Sequence, residues 1–513
     1  MAILSAQTRL DGLERLGSAT EPLDVLVIGG GITGAGAALD AASRGLRVAL
    51  VDRGDLASGT SRWSSKLVHG GLRYLAQGDL RIARESAVER HHLMTTIAPH
   101  LIRPLRQIVP DVGPRRPISL IRMGFRAGDV LRRTARTSPQ LLAPPMQMAA
   151  LEVLGHCPTV RRDGLRGGVA NTDGQLVDDA RLVVGVARTA AAYGATICTY
   201  TRATAVDGRG ATLTDLRSGE RLEVAARAVI NATGVWAPQV DPNLALQPSR
   251  GTHLVFDAAT FGHPTGALTV PVDGSLSRFV FALPAQLGRV YVGLTDVAEN
   301  GPIVDAPQPD DTEIDFLLDA INVGLARPVT RADVLGTFAG LRPLIDVGGR
   351  PGEDGALADL SRKHQVQITD GTLISAVGGK LTTYRRLAQD AVDTAVRAAG
   401  LTAGRCVTTS IPLVGAVGAE QSDVLLAQYP SLVARFGAEA QAVLDAAEVV
   451  DPGQPLAPGI DVLRAEVEFA LTHEGALDAD DILDRRTRLG LVVADAERAR
   501  PAVEQIVAEV ARR

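Results

Sequence analysis

Residues 25–52 leave the start of this chain little choice of fold. Val25-Leu26-Val27-Ile28 is a β-branched and aliphatic run, the pattern of a buried parallel strand. It leads into Gly29-Gly30-Gly31-Ile32-Thr33-Gly34, which satisfies G-x-G-x-x-G. Mostly small residues follow from Ala35 to Ala42, as a helix pressed closely on a sheet requires. Arg47-Val48-Ala49-Leu50-Val51 is then a second strand, ending at Asp52. Gly29 permits the tight turn, Gly31 lets the backbone approach a pyrophosphate, and Gly34 allows close helix–strand contact. The helix N-terminus offers unpaired N–H groups and a partial positive charge to phosphates. Asp52 stands where an acid that binds a ribose belongs. The unit therefore predicts dinucleotide binding, and the turn by itself leaves NAD and FAD both open.

Shortly after it comes Ser64-Ser65-Lys66-Leu67-Val68-His69-Gly70-Gly71-Leu72-Arg73-Tyr74-Leu75. Lys, His, Arg and Tyr among glycines make a poor core strand. They suit a backbone that passes close to a ligand and presents polar side chains to it.

Composition narrows the classes. A chain of 513 residues can bury a large core and predicts two or three domains. A net charge of −5 implies no global attraction to nucleic acid, and 3% aromatics argues against base-stacking platforms. Cys157, Cys198 and Cys406 are odd in number and widely spaced, with no metal pattern and no disulfide framework. That fits a reducing, cytoplasmic compartment. The N-terminus carries Arg9, Asp11, Glu14 and Arg15 in place of an apolar signal core, and no run of 18 apolar residues exists.

Further segments give the chain a family likeness. They are Asn171 to Leu182 (NTDGQLVDDARL), Asn231-Ala232-Thr233-Gly234-Val235-Trp236, Gly251-Thr252-His253, Gly293-Leu294-Thr295-Asp296 and Gly340-Leu341-Arg342-Pro343-Leu344. Ser361-Arg362-Lys363-His364, Gly378-Gly379-Lys380-Leu381-Thr382-Thr383-Tyr384-Arg385 and Asp480 to Leu489 (DDILDRRTRL) follow. With the two opening segments, this ordered set resembles the FAD-dependent, quinone-linked glycerol-3-phosphate dehydrogenases from about residue 22 to the end. The first 20 or so residues have no counterpart there and are assigned no function.

The resemblance implies a Rossmann-like FAD-binding domain of the α/β class. It implies an inserted antiparallel-sheet substrate domain and a C-terminal α-helical domain. The flavin region is expected at 22–404, with FAD-binding segments near 22–75, 172–240 and 371–395 and substrate or cap segments near 76–171 and 241–370. A helix is expected at Asp178–Tyr193, with strands near Ala195–Cys198, Ala228–Ile230 and Leu373–Val377. Ser249–Asp296 reads as an antiparallel sheet. A separate helical domain is expected at 405–513, with helical spacing at Val424–Phe436, Ala438–Val450, Asp461–His473 and Arg500–Arg512, the first broken by Pro430.

Glycerol 3-phosphate oxidation needs a hydride to leave carbon 2, a proton to leave the 2-hydroxyl, and a held phosphate. The resemblance puts Arg342 at the substrate, where it would stabilise the developing alkoxide; the plain reading is an arginine paired with a core carboxylate. Arg73, Tyr74 and Arg362 become the phosphate side. Against them stand a packed Tyr74 and a solvated Arg362. His253 is nominated as general base facing the substrate, with His69 as competitor and a structural histidine as the plain reading. Lys380, at a Gly-Gly helix start, would stabilise charge at the flavin's pyrimidine end. The FAD-contacting set is Gly29, Gly31, Gly34, Asp52, Ser61, Ser65, His69, Gly234, Gly378, Gly379, Lys380, Leu381 and Thr382; no metal is expected.

Nine arginines and two aspartates between Arg103 and Arg136, interleaved with Ile118, Leu120, Ile121, Met123, Phe125, Val130 and Leu131, suggest a surface for anionic lipid. That suits peripheral attachment at the inner face of the cytoplasmic membrane and electron transfer to a membrane quinone. A solvated basic helix is the plain alternative. Oxygen as acceptor, an amine or amino-acid oxidase of the same fold, and a non-enzymatic flavoprotein are the rival readings. A homodimer is left open.

Overall fold

Leu23–Ile28 is buried along its last four residues because it lies inside a sheet. Val25 stands opposite Val48 on one side and Ala228 on the other, both in parallel register. The computed structural model describes residues 3–71, 79–112, 118–272, 278–345, 364–417 and 423–513. The sheet runs Gln365–Thr369, Leu373–Val377, Arg221–Asn231, Leu23–Ile28, Val48–Val51, Thr196–Cys198. All neighbours on that path are parallel except the first pair. Strands from three separated stretches of chain thus meet in one sheet.

The nucleotide helix, Ile32–Ser43, is buried from Gly34 to Ala42. It is wedged between the helices Asp179–Ala192 and Tyr384–Ala398. Small residues are required there: a Cβ on Gly36 would lie 3.0 Å from the Tyr384 ring.

The strands of the Ser249–Asp296 insertion pair antiparallel as expected, and the sheet they belong to is larger, becoming mixed only where strands from outside the insertion join it. Leu246–Asp257, Arg289–Gly293, Phe279–Ala285 and Ala267–Pro271 follow one another antiparallel. Ala267–Pro271 then pairs in parallel with Ile102–Val112, which pairs with Leu165–Leu176 and so reaches Leu67–Val68. Gly336–Ile345 joins the other side of Leu246–Asp257. The stretch from 172 therefore begins inside a second-sheet strand and rejoins the first sheet only after the helix Asp179–Ala192.

The C-terminal part is helical but cut differently from the sequence pattern. Pro430 opens a new helix, Pro430–Phe436, after Asp423–Gln428. The expected helix at Ala438–Val450 is only Ala440–Asp445, and the last helix starts earlier, Val493–Val510, with Pro501 inside it. Apolar side chains of this part form their own clusters around Val467, Ile482 and Val503 and around Leu432 and Phe469.

Two devices join it to the sheets. The N-terminal helix Ala6–Ser18, which the sequence left without a role, buries Leu13 and Leu16 against Leu26, Val51 and Leu213. Its Arg9 pairs with Asp215, and the preceding Leu4 exchanges backbone bonds with His473 and Gly475. The second device is ionic. Asp55, in the loop after Val48–Val51, accepts from Arg485 Nε and Arg486 Nη1 at 2.7 Å each, and from Arg486 Nη2 at 2.9 Å. Removing one member of a buried charge cluster leaves the others uncompensated. Asp55→Asn is therefore expected to cost about 3–5 kcal/mol, read as a lower urea midpoint near pH 7. An unchanged midpoint would refute the clamp.

Candidate active site

One loop, Thr60–Gly71, connects the two glycine turns. At its start Ser61 Oγ accepts from the Ile32 N–H at 2.9 Å, and a Cβ on Gly31 would sit 3.0 Å from that oxygen. Gly29 has φ +114°, and a Cβ there would meet the Ala232 carbonyl oxygen at 2.5 Å. Gly34 faces the Gly29 carbonyl with no room for a methyl. Gly31 caps the nucleotide helix without any side-chain bond, so N–H groups of its first turn remain for an anion. Asp52 accepts from Gly30 N at 2.6 Å and Gly54 N at 2.7 Å. Burial pushes its carboxyl up to about 6, against the pull of those two N–H groups.

At the loop's other end the His69 N–H donates to Thr382 Oγ1 at 3.3 Å. Gly378 and Gly379 both have positive φ and feed the turn Leu381–Thr383, which continues as Tyr384–Ala398. Lys380 Nζ donates to Ser86 Oγ at 2.8 Å. Gly234, φ +61°, opens a short turn after Arg221–Asn231. The structure thus brings Gly29, Gly31, Gly34, Asp52 and Ser61 to one end of the loop and His69, Gly378, Gly379, Lys380, Leu381 and Thr382 to the other.

Sequence reasoning quoted the acidic run at 171–182 but assigned it no chemistry. In the fold it holds the loop. Asp179, fully buried, takes the Ser64 N–H at 2.8 Å, the Ser64 hydroxyl at 2.7 Å and Lys66 Nζ at 3.2 Å. Burial would raise its carboxyl, but Lys66, Arg488 and Ser64 outweigh that and hold it below the usual range. Asp178 caps the same helix and lies 3.1 Å from Arg488, whose guanidinium also donates to the Arg62 carbonyl at 2.6 Å. Asp173 takes the Gly70 N–H and pairs with Arg90. The available signal was the coincidence of Asp178-Asp179 with Arg485-Arg486-Thr487-Arg488: charges that a core must neutralise.

The second sheet supplies Arg342 and His253. Arg342 Nη1 donates to Ser249 Oγ and Asp296 Oδ1, each at 3.1 Å, and Nη2 donates to the Thr295 carbonyl at 3.0 Å. The carboxylate partner of the plain reading is therefore present, yet 20% of the arginine side chain stays accessible. Its strand abuts the loop: Thr60 Oγ1 donates to the Leu341 carbonyl at 2.6 Å. His253 corrects the expectation that it faces the substrate. It has no accessible surface, its ring stacks on Phe338 at 4.6 Å, and Nε2 lies 2.8 Å from Ser65 Oγ. Burial, then Lys66 and Arg342, keep it well below an ordinary histidine. Arg73, Tyr74 and Arg362 lie outside the described residues. Two residues beyond the last, His364 bonds Asp390 at 2.9 Å.

Comparison with known proteins agrees with this geometry. A family model described as FAD dependent oxidoreductase matches residues 24–385, and one described as the C-terminal domain of alpha-glycerophosphate oxidase matches 406–513. Glycerol-3-phosphate dehydrogenase 1 of Mycobacterium tuberculosis is 57% identical over 483 residues, 93% of each chain. The chain belongs to the FAD-dependent glycerol-3-phosphate dehydrogenase family. Glycerol-3-phosphate dehydrogenase 2 of the same species is 35% identical over 96% of this chain and 84% of its own. The glycerol-3-phosphate dehydrogenase of Bacillus halodurans, solved with FAD, superposes with a TM-score of 0.75 at 26% identity, covering 100% of this chain and 94% of that one.

FAD is the cofactor, and the cradle fits it. The glycine turn leaves no space for side chains, the helix start carries no side-chain cap beyond the Ile32 N–H that Ser61 takes, and Asp52 would offer its remaining carboxylate lone pairs to ribose hydroxyls. Ribose hydroxyls held there would donate to the ionised form, so FAD binding would pull the Asp52 carboxyl below about 6. FAD affinity of the apoprotein is therefore expected to weaken as pH falls through 6, and Asp52→Asn to abolish that dependence. A flat wild-type titration between pH 5 and 8 would rule Asp52 out.

Proposed function

We propose that this protein oxidises sn-glycerol 3-phosphate to dihydroxyacetone phosphate and passes the electrons to a membrane quinone. The observation that carries the reading is Arg342. Its guanidinium is held by three oxygens beside the loop that joins the two flavin turns, and 20% of the side chain stays accessible. A cation so held stabilises an alkoxide as it forms at carbon 2 without reorganising. FAD, when bound, supplies the hydride acceptor. Lys380, tied to Ser86 at the start of the second turn, brings positive charge to the region where the flavin gains negative charge. Arg73, Tyr74 and Arg362 are kept as the phosphate side, as the family likeness implies. We take 22–404 as the catalytic region and 405–513 as the domain whose arginines brace it.

The test is anaerobic. The FAD-loaded protein mixed with sn-glycerol 3-phosphate should bleach, and glycerol or amino acids should leave it yellow. Arg342→Ala should slow bleaching by about a hundredfold or more. A fully loaded wild type that stays yellow would overturn the substrate assignment.

The quinone acceptor draws support from the helix Ile118–Thr134. Ile121, Phe125, Asp129 and Arg132 face inward, while Leu120, Met123 and Val130 are 45%, 62% and 57% exposed. Their spacing of three and seven puts them on one outer stripe, with Arg122, Arg126 and Arg133 beside it. Apolar residues flanked by arginines suit the headgroup region of an anionic bilayer. No helix among the described residues is long and apolar enough to cross a membrane. Arg132 is buried on Asp129 at 2.6 Å and does not belong to this surface. Sedimentation with phosphatidylglycerol vesicles should be lost in the triple variant Arg122→Glu, Arg126→Glu, Arg133→Glu; unchanged binding would sink the surface. Rapid peroxide formation in air, in place of quinone reduction, would favour the oxidase reading.

A further inference from the structure

The two ring nitrogens of His253 have unequal surroundings. Nε2 lies 2.8 Å from Ser65 Oγ. Nδ1 is buried and has no hydrogen-bond partner among the described residues. The ring is clamped on one face by Phe338 at 4.6 Å and 10° and at its edge by Gly293, where a Cβ would collide with it. Buried N–H groups left without an acceptor are rarer in folded proteins than buried acceptor atoms left without a donor. Of the two neutral tautomers, the one that carries its proton on Nε2 leaves only a lone pair unsatisfied. It also makes His253 the donor and Ser65 Oγ the acceptor.

The charges around the ring favour a neutral imidazole. Lys66 Nζ lies 4.7 Å from the centre of Phe338 and 5.6 Å from that of Tyr291. It is therefore seated among the aromatic rings next to the histidine, with its counter-ion Asp179 drawn toward Ser64. Arg342 comes from the neighbouring strand. The groups that bear on His253 are thus the Ser65 hydroxyl, Lys66, Arg342 and the nonpolar Phe338 and Gly293; both charged ones are cations. They lower its proton affinity, as burial does.

We propose that His253 is a positioning residue that works through Ser65: its Nε2–H donates to Ser65 Oγ, and the Ser65 O–H is thereby turned outward as a fixed donor to an acceptor atom of the bound flavin or substrate. Ser65 suits this role. It keeps accessible surface where His253 has none, and it lies midway along the loop between the Ser61 and His69 ends of the nucleotide path. A direct base would need a ring nitrogen that reaches the substrate. Here one nitrogen is on Ser65 and the other is enclosed. The inference rests on the reading above only for the identity of the substrate.

Three measurements on the FAD-loaded full chain test it. In protein labelled with ¹⁵N-histidine, the resonances absent from His253→Gln should report a neutral, Nε2-protonated ring at pH 7. An imidazolium, or protonation at Nδ1, overturns the proposal whatever the substrate proves to be. Glutamine places an amide donor near the Nε2 position and cannot act as a base. His253→Gln should therefore keep flavin reduction within about tenfold of wild type, while His253→Leu loses about a hundredfold or more. Equal losses in the two variants would restore the base role. Ser65→Ala separates the two acceptors: weaker FAD binding assigns the O–H to the cofactor, and unchanged FAD binding with a higher glycerol 3-phosphate Kd assigns it to substrate. If neither changes, the oriented donor does not exist. Failure of wild-type bleaching would cancel the reaction reading and leave the resonance test standing.

Discussion

The Lys66–Asp179 pair is the contact on which the site depends. Both side chains are removed from water, Lys66 being 2% exposed and Asp179 not at all. Such a pair carries a desolvation cost that its attraction only partly offsets, so it is poor evidence of extra stability. Its effect is on geometry. Lys66 sits at φ +55°, a left-handed conformation that a lysine rarely adopts, and it is kept there because Nζ also donates to the carbonyls of Arg62 and Ser64. A loop whose middle is pinned by a buried ion must present Ser61, Ser65 and His69 in one arrangement.

That pin connects parts of the chain distant in sequence. Asp179 starts the helix that packs on the nucleotide helix, so the loop is referenced to the pyrophosphate turn. Its neighbour Asp178 is held by Arg488, and Arg488 also grips the Arg62 carbonyl of the same loop. The C-terminal arginines thus act on the flavin site through the backbone and not by entering it. On the other flank, Phe338 packs against both: Lys66 Nζ is 4.7 Å from its ring centre and the His253 ring stacks on it at 4.6 Å. Arg342 closes the arrangement from four residues further along the same strand.

What the sequence disclosed follows from how local each signal is. The glycine turn, the strands at 25–28, 48–51 and 373–377 and the helix at 179–192 are fixed by hydrophobic period and steric need within a few residues, and they were legible. The second sheet was only half legible. Its insertion shows period-two alternation, but Ile102–Val112 and Leu165–Leu176 are recruited by pairing across more than 50 residues, which no local pattern records. The shortened helix at Ala440–Asp445 shows tertiary packing overriding spacing. Among site residues, His253 and Arg342 were found by type and motif, whereas the burial that changes the part His253 plays is a property of Phe338 and Gly293 on two other strands.

The same locality explains why Asp173, Asp178 and Asp179 were quoted without a role. A run of acids before an apolar helix reads as a cap, and Asp178 is one. Nothing within the run shows that its next residue neutralises a lysine 113 positions earlier. Buried charge has to balance, however, and this chain places Lys66, Arg90 and Arg488 with Asp179, Asp173 and Asp178 in that order. Three pairs therefore set one loop. Each ties it to a different neighbour: Asp179 to the nucleotide layer, Asp173 to the second sheet, and Asp178 to the C-terminal helices through Arg488. A site braced from three sides keeps the imidazole beside two cations, and their like charge together with burial favours the neutral ring.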